Sequence, residues 1–321
     1  MVLAGGARCR TAVARCALVA LVTVLLCGCA MTPPPGGQEA STLSDRVVPV
    51  VAAENMWGSL AAQVGGVHAR VVSLIANPAT DPHAYEPSAA DARRLADARL
   101  VVANGAGYDP WMQRLLSAAG GTRTVLDVGN LMGVPAGADP HLWYWPAAVD
   151  ATVSKLAADL SALDPGDANY FKQQGRHVAT VALADYHAAL AGIRARFSGR
   201  PVAASESLAF YLCRSTGLDL MTPPALLRAV SEGTEPSPAD RATATHQLGA
   251  GTPWAFLENT QNLTPDVQGM AATARSAGVP VVALTETVVP AGATFQTWQT
   301  RQLGALARAL GSHSVGMLAH G

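Results

Sequence analysis

From residue 46 onward the chain repeats one pattern, a short apolar run followed by an amphipathic stretch. Val47 to Ala53, Val71 to Ile75, Leu100 to Ala103 and Thr124 to Asp127 read as strands. Met56 to Val64, Ser88 to Ala98 and Trp111 to Ala118 read as the helices between them, with Ser88 as N-cap and Asp91 at the third position. Such alternation confines the chain to an α/β fold, because parallel strands need long crossovers that are usually helical. The middle breaks the pattern. Ala147 to Leu163 is helical, Pro165-Gly166 interrupts, and the Pro-free stretch from Ala168 to Phe197 should form one extended helix. Strand-like runs resume at Pro201 to Ala204, Trp254 to Leu257 and Val279 to Leu284. The expectation is two Rossmann-like lobes, residues 46–165 and 199–321, each a parallel sheet flanked by helices. A long rigid helix at 166–198 joins them. Ligands of such sheets bind beyond the carboxyl ends of the strands, which is where His83 and His141 sit.

Residues 1–28 read as an export signal, with Arg8, Arg10 and Arg15 ahead of an apolar run from Ala17 to Leu26. That run is shorter than the ~20 residues a spanning helix needs. Leu26-Cys27-Gly28-Cys29 resembles a bacterial lipobox, which makes Cys29 the lipid-modified first residue of the mature protein; an ordinary cleaved signal is the alternative. The chain is then exported and anchored by lipid to the outer face of the cell membrane. Residues 29–45, with Pro33-Pro34-Pro35-Gly36-Gly37, have the composition of a flexible tether. Four of the five cysteines fall in the signal region, so Cys213 has no internal disulfide partner and reads as a small buried apolar residue. Half the residues are hydrophobic and the formal net charge is −1, which argues against nucleic acid as a partner. Lysine occurs only at 155 and 172, the other basic residues being Arg, which reads as base composition rather than function.

The chemistry concentrates in a repeated tripeptide, Asp81-Pro82-His83 and Asp139-Pro140-His141, each copy placed where a strand gives way to a loop. Neutral imidazole is the commonest ligand for divalent transition metals. An Asp two residues upstream can accept the proton of the other ring nitrogen and fix the tautomer. Two histidines do not hold a metal firmly. Glu206 follows the strand Pro201 to Ala204 and Glu286 follows the strand Val279 to Leu284, so both carboxylates also stand at carboxyl ends of strands. Two imidazoles and two carboxylates would neutralise a divalent cation and reduce the cost of burying it. Taken singly, each of the four also has a structural reading, the histidines as surface turn residues and the glutamates as a helix-start and a loop acid.

Asp81-Pro82-His83-Ala84-Tyr85-Glu86-Pro87-Ser88, Asp139-Pro140-His141-Leu142-Trp143, Ser205-Glu206 with Phe210-Tyr211-Leu212, and Thr285-Glu286-Thr287 with Pro290-Ala291-Gly292 occur in this order. Together they resemble the four metal-binding motifs of the cluster A-I (ZnuA/TroA-like) solute-binding proteins, which deliver zinc, manganese or iron to ABC importers. The resemblance runs over nearly all of Val47 to Leu310. Glu54-Asn55-Met56-Trp57-Gly58 and the Asn104 to Asp109 stretch are similar to one branch of that family. It implies two lobes around a connecting helix and metal in the cleft, with His83, His141, Glu206 and Glu286 as ligands. It also implies a membrane permease and a separate ATPase as partners, and a monomer. The chain departs from the zinc branch in carrying Glu206 where that branch has His, and in lacking a His-rich loop between the first two motifs. It departs from the manganese and iron branches in having Glu286 where they usually have Asp.

Carboxylates that chelate through both oxygens raise coordination above four, which suits Mn²⁺ or Fe²⁺, whereas intrinsic affinity favours Zn²⁺ over Mn²⁺. Zinc, manganese and iron all stay open. A metal-dependent hydrolase built on the same cluster and a metal-binding surface adhesin are the rival functions; no His-Glu-x-x-His helix or nucleophile elbow supports the hydrolase. Gly105-Ala106-Gly107 is followed by Tyr108-Asp109-Pro110 and is no dinucleotide fingerprint. His68, His177, His187, His246, His313 and His320 read as surface or tail residues, and Trp143 and Trp145 as core aromatics beside the second His.

Overall fold

The computed structural model describes residues 47–80, 82 and 85–319. The expected signal, tether and Cys29 lie outside those residues, as does His83.

The first sheet contains β1 (Val48–Glu54), β2 (Ala69–Ile75), β3 (Leu100–Ala103) and β4 (Thr124–Asp127), in the order β2-β1-β3-β4. All its pairings are parallel. Its helices are α1 (Asn55–Gly65), α2 (Ala89–Asp97), α3 (Pro110–Ala119) and the short α4 (Val128–Met132). The second sheet repeats this topology with β5 (Pro201–Ala204), β6 (Asp219–Leu220), β7 (Phe256–Asn259) and β8 (Val281–Leu284), in the order β6-β5-β7-β8, again all parallel. Helices α8 (Phe210–Thr216), α9 (Pro224–Ser231), α10 (Pro238–Gly249), α11 (Pro265–Ser276) and α12 (Phe295–Ala319) belong to this half. Both sheets reverse strand order beside their first strand, which is where α/β sheets open a crevice.

The expected helix start at Ser88 forms as read. The Ser88 side chain accepts from the Asp91 amide, and the Asp91 carboxylate accepts from the Ser88 amide in a reciprocal capping box. In the chain between the two sheets come α5 (Pro146–Leu163), α6 (Ala168–His177) and α7 (Ala184–Phe197). The single long helix expected from Ala168 to Phe197 contains a π-helical turn at Val178–Ala182, where the Leu183 amide donates to the Val178 carbonyl at 2.9 Å. Val178 and Leu183 are both buried. Five positions apart, they would face different sides of an unbroken α-helix, and the π-turn brings both inward.

One continuous core runs from Val50 and Val102 through Trp143, Leu156 and Phe171 to Val202, Leu257 and Leu284. An apolar interface of this extent ties the two sheets into a common body. Cys213 is buried in α8, and burial pushes its thiol up to about 12, so it packs as an apolar residue. Among the described residues no helix is long and apolar enough to cross a membrane.

Candidate metal centre

Glu206 stands just beyond β5 and Glu286 just beyond β8, as the sequence places them. His141 does not sit at a strand tip. After β4 the chain forms α4 and a loop before reaching it, and the ring is fully buried rather than presented at the surface. Its position is nevertheless fixed. Asn104, following β3, donates through its side-chain amide to the Pro140 carbonyl at 2.8 Å and accepts from Trp57 Nε1 at 3.0 Å. Asp139 Oδ1 lies 3.1 Å from both the backbone N and the ring Nδ1 of His141, which is the second-nitrogen contact that the tripeptide suggests. Trp143 packs edge-on against the imidazole at 5.2 Å between ring centres. The other ring nitrogen, Nε2, is buried and has no hydrogen-bond partner among the described residues.

One potential ligand atom from each of His141, Glu206 and Glu286 lies within 4.8 Å of the others. Metal–nitrogen and metal–oxygen bonds are about 2.0–2.2 Å long, so the three groups are gathered on the scale of one coordination sphere. His83, the fourth predicted ligand, lies outside the described residues, but both flanks of it are anchored. The Pro82 carbonyl accepts from Trp111 Nε1 at 3.0 Å, and Tyr85 donates to Asp91 Oδ2 at 2.8 Å.

Three residues that sequence reasoning did not single out organise the carboxylates. The Asn259 amide donates to Glu206 Oε1 and to Glu286 Oε1, both at 2.7 Å. Asn262 donates to Glu206 Oε2 at 2.6 Å, and Tyr108 donates to Glu286 Oε2 at 2.6 Å. Each of the four carboxylate oxygens therefore has one donor. The Asn259 carbonyl accepts from the Gln261 amide at 2.9 Å, which orients the side chain with its NH₂ toward the glutamates. The available signal was the polar run Glu258-Asn259-Thr260-Gln261-Asn262 directly after a buried strand.

The charges fit a site awaiting a cation. Burial alone would lower the pKa of His141, but Asp139, Glu286 and Glu206 outweigh it and raise the ring to about 9. Burial, then the neighbouring Glu286, pushes Glu206 up to about 7. Burial and Glu286 also raise Tyr108 well above its usual range, so it remains a neutral donor. A cavity of about 540 Å³ reaches Glu286, with Pro78, Thr80 and Pro82 on one wall and Val230, Gly233 and Asn262 on the other.

Of the discounted histidines, His68 differs from the surface reading: it is half-buried, with Nδ1 2.7 Å from Asp167 Oδ2 and its ring against Tyr170. Trp145, beyond the site, stacks on Tyr211 at 5.2 Å between ring centres.

A family model described as ZnuA, zinc-uptake complex component A, periplasmic, matches residues 50–309. The chain belongs to this family. Among curated proteins it is similar to the manganese-binding lipoprotein MntA of Bacillus subtilis, 28% identical over 172 residues. That alignment covers 50% of this chain and 53% of MntA, so the chain spans about half the length of this relative. Among solved structures, FpvC of P. aeruginosa in complex with Ni²⁺ matches with a TM-score of 0.67 and 26% identity, over 83% of this chain and 97% of FpvC. The periplasmic zinc-binding protein TroA of Treponema pallidum matches in fold, with a TM-score of 0.68 and 21% identity over 82% and 99% of the two chains. The family's description is that of an uptake component and names no hydrolytic activity.

Outside the cluster, this member of the ZnuA family buries a second acidic pair. Glu54 ends β1 with no surface exposure and its carboxyl hydrogen-bonds to that of Asp109, while the Asp109 carboxylate accepts from the amides of Asn104 and Gly105 at 2.8 and 2.9 Å. Burial first, then Asp109, pushes Glu54 well above its ordinary 4.5. Burial raises Asp109 to about 6. Above pH 4.5 the folded chain retains a proton at Glu54 that the unfolded chain releases, so this residue makes stability fall as pH rises. Glu54→Gln is expected to flatten the decline in melting temperature as pH rises above the ordinary carboxylate range. An unchanged decline in thermal unfolding would show that Glu54 carries no such penalty.

Proposed function

We propose that the protein captures a divalent transition metal outside the cytoplasm and delivers it to an ABC importer made of a permease and a separate ATPase. Manganese and zinc are the leading cargoes, with iron as the third. The observation that carries this reading is the buried His141 Nε2, without a partner among the described residues, beside two carboxylates held by neutral donors. A lysine or arginine in place of Asn259 would neutralise the glutamates; an amide orients them and leaves their charge available to a cation. Entry of a metal displaces the proton from His141, because a ligating imidazole must be neutral. His83, His141, Glu206 and Glu286 form the proposed ligand set. Residues 46–165 and 199–321 are the proposed lobes, with 166–198 as connector. The names of the relatives, which include manganese- and zinc-binding proteins, support the cargo class.

Calorimetric competition on chelator-stripped protein tests the reading, with Zn²⁺ and Mn²⁺ at matched pH. One tight site per chain is expected, and Glu206→His should shift preference toward zinc, since a nitrogen donor suits a four-coordinate zinc site. Absence of a site for either metal would contradict the proposal, and unaltered selectivity would remove Glu206 from metal choice. We further place the protein on the membrane as a monomer tethered through a lipid on Cys29. Cys29→Ser should move it from the membrane to the soluble fraction; continued retention would argue against that anchor.

A further inference from the structure

Helix α1 is apolar on most of its surface: Met56, Trp57, Leu60, Ala61 and Val64 are buried. It nevertheless carries Asn55, Ser59 and Gln63, which are four residues apart and so share one face. All three bond to the chain that follows Glu286. Asn55 Nδ2 donates to the Val288 carbonyl at 3.2 Å, and the Val288 amide donates to Asn55 Oδ1 at 2.9 Å. The side-chain amide thus pairs with the backbone as a neighbouring strand would. Ser59 Oγ accepts from the Phe295 amide at 2.9 Å, satisfying an otherwise orphaned N–H at the start of α12. Gln63 and Gln296 exchange two amide hydrogen bonds, at 3.1 and 2.8 Å. Residues 288–296 are therefore pinned at both ends to the first lobe.

Glu286 lies two residues before Val288. Its own amide donates to Gln261 Oε1 at 2.6 Å, a second-lobe contact, while Tyr108 and Asn55 reach the same short segment from the first lobe. We propose that Asn55 is a positioning residue for metal capture, setting the distance between Glu286 and the first-lobe ligand His141 through its paired hydrogen bonds to Val288. This rests on the metal-capture reading above. The contacts along the face have graded roles. The Asn55 pair is nearest in sequence to Glu286, and the Gln63 pair clamps the start of α12 without addressing the ligand. A ligand carried on a loop needs this kind of support, because its coordination geometry is set by the groups that orient it.

The test compares Mn²⁺ affinity and the visible absorption spectrum of bound Co²⁺ in the full chain for wild type, Asn55→Ala, Asn55→Asp and Gln63→Ala. Cobalt bands report coordination geometry, which a loss of stability alone leaves unchanged. Asn55→Ala is expected to weaken Mn²⁺ binding about tenfold and to alter the Co²⁺ spectrum. Asn55→Asp, which keeps the acceptor for the Val288 amide, should recover part of both. Gln63→Ala should lower the melting temperature and leave the spectrum as in wild type. If Asn55→Ala does not fold, Asn55→Asp decides by the same two readouts. Wild-type affinity and spectrum in the Asn55 variants would overturn the positioning role alone. Failure of the wild-type chain to bind either ion would overturn it together with the metal-capture reading.

Discussion

His141→Ala is expected to reduce metal affinity by more than about a hundredfold. Loss of a group that merely orients a ligand costs about 10- to 100-fold, and His141 is placed to supply a donor nitrogen itself. Its loss has a second effect. In the metal-free protein the protonated ring is the cation that offsets the two buried carboxylates, and the charges of Glu286 and Glu206 are among the causes holding its pKa near 9. Alanine removes that charge, so Glu206, already pushed up to about 7 by burial and then by Glu286, shifts further toward its neutral, weakly ligating form. Calorimetric titration with Mn²⁺ checks the loss, and circular dichroism checks that the fold is retained. Wild-type affinity in a folded His141→Ala protein would remove this histidine from the ligand set.

Asn259→Ala is expected to weaken metal binding by about 10- to 100-fold without touching any proposed ligand. The substitution deletes two 2.7 Å bonds to carboxylates, and bonds to charged acceptors contribute about 1.5–3 kcal/mol each. The side chain is fully buried, so water does not readily replace it. Without the amide, Glu206 Oε1 and Glu286 Oε1 are free to turn apart, which separates the two carboxylates that would share an ion. Asn262→Ala removes a single bond to Glu206 and leaves the bridge intact, so its effect should be smaller. Equal effects of the two substitutions would show that bridging the glutamates is not what matters. No effect from either would mean that the carboxylates are held by other groups.

The fold was legible wherever apolar runs were unmixed. Leu100–Ala103, Thr124–Asp127 and Pro201–Ala204 form strands at the residues read from the sequence. Glu206 and Glu286 were recoverable because each directly follows such a run. Where polar residues complete a strand, the reading stopped early. β7 was expected at Trp254 to Leu257 and forms at Phe256–Asn259, since Glu258 and Asn259 look like loop residues until their burial is known. That shift hid Asn259, because its role depends on closing the strand beside β5 and β8. β6 is only Asp219–Leu220 and carries too little pattern to detect. The depth of His141 was also illegible. The tripeptide identified the residue and its Asp139 contact, but the buried loop depends on Asn104 holding the Pro140 carbonyl, a bond across 36 positions. Tyr108 belonged to a stretch noted for its family likeness, while its bond to Glu286 spans 178 positions and has no local signature.

The central claim is that His141, Glu206 and Glu286 bind one metal together with His83. Diffraction from Mn²⁺-soaked crystals at the manganese absorption edge tests it most directly. The account predicts a single anomalous peak bonded to His141 Nε2 and to carboxylate oxygens of Glu206 and Glu286, with His83 completing the site. A peak elsewhere, or no peak among these residues in crystals that take up manganese, would contradict it.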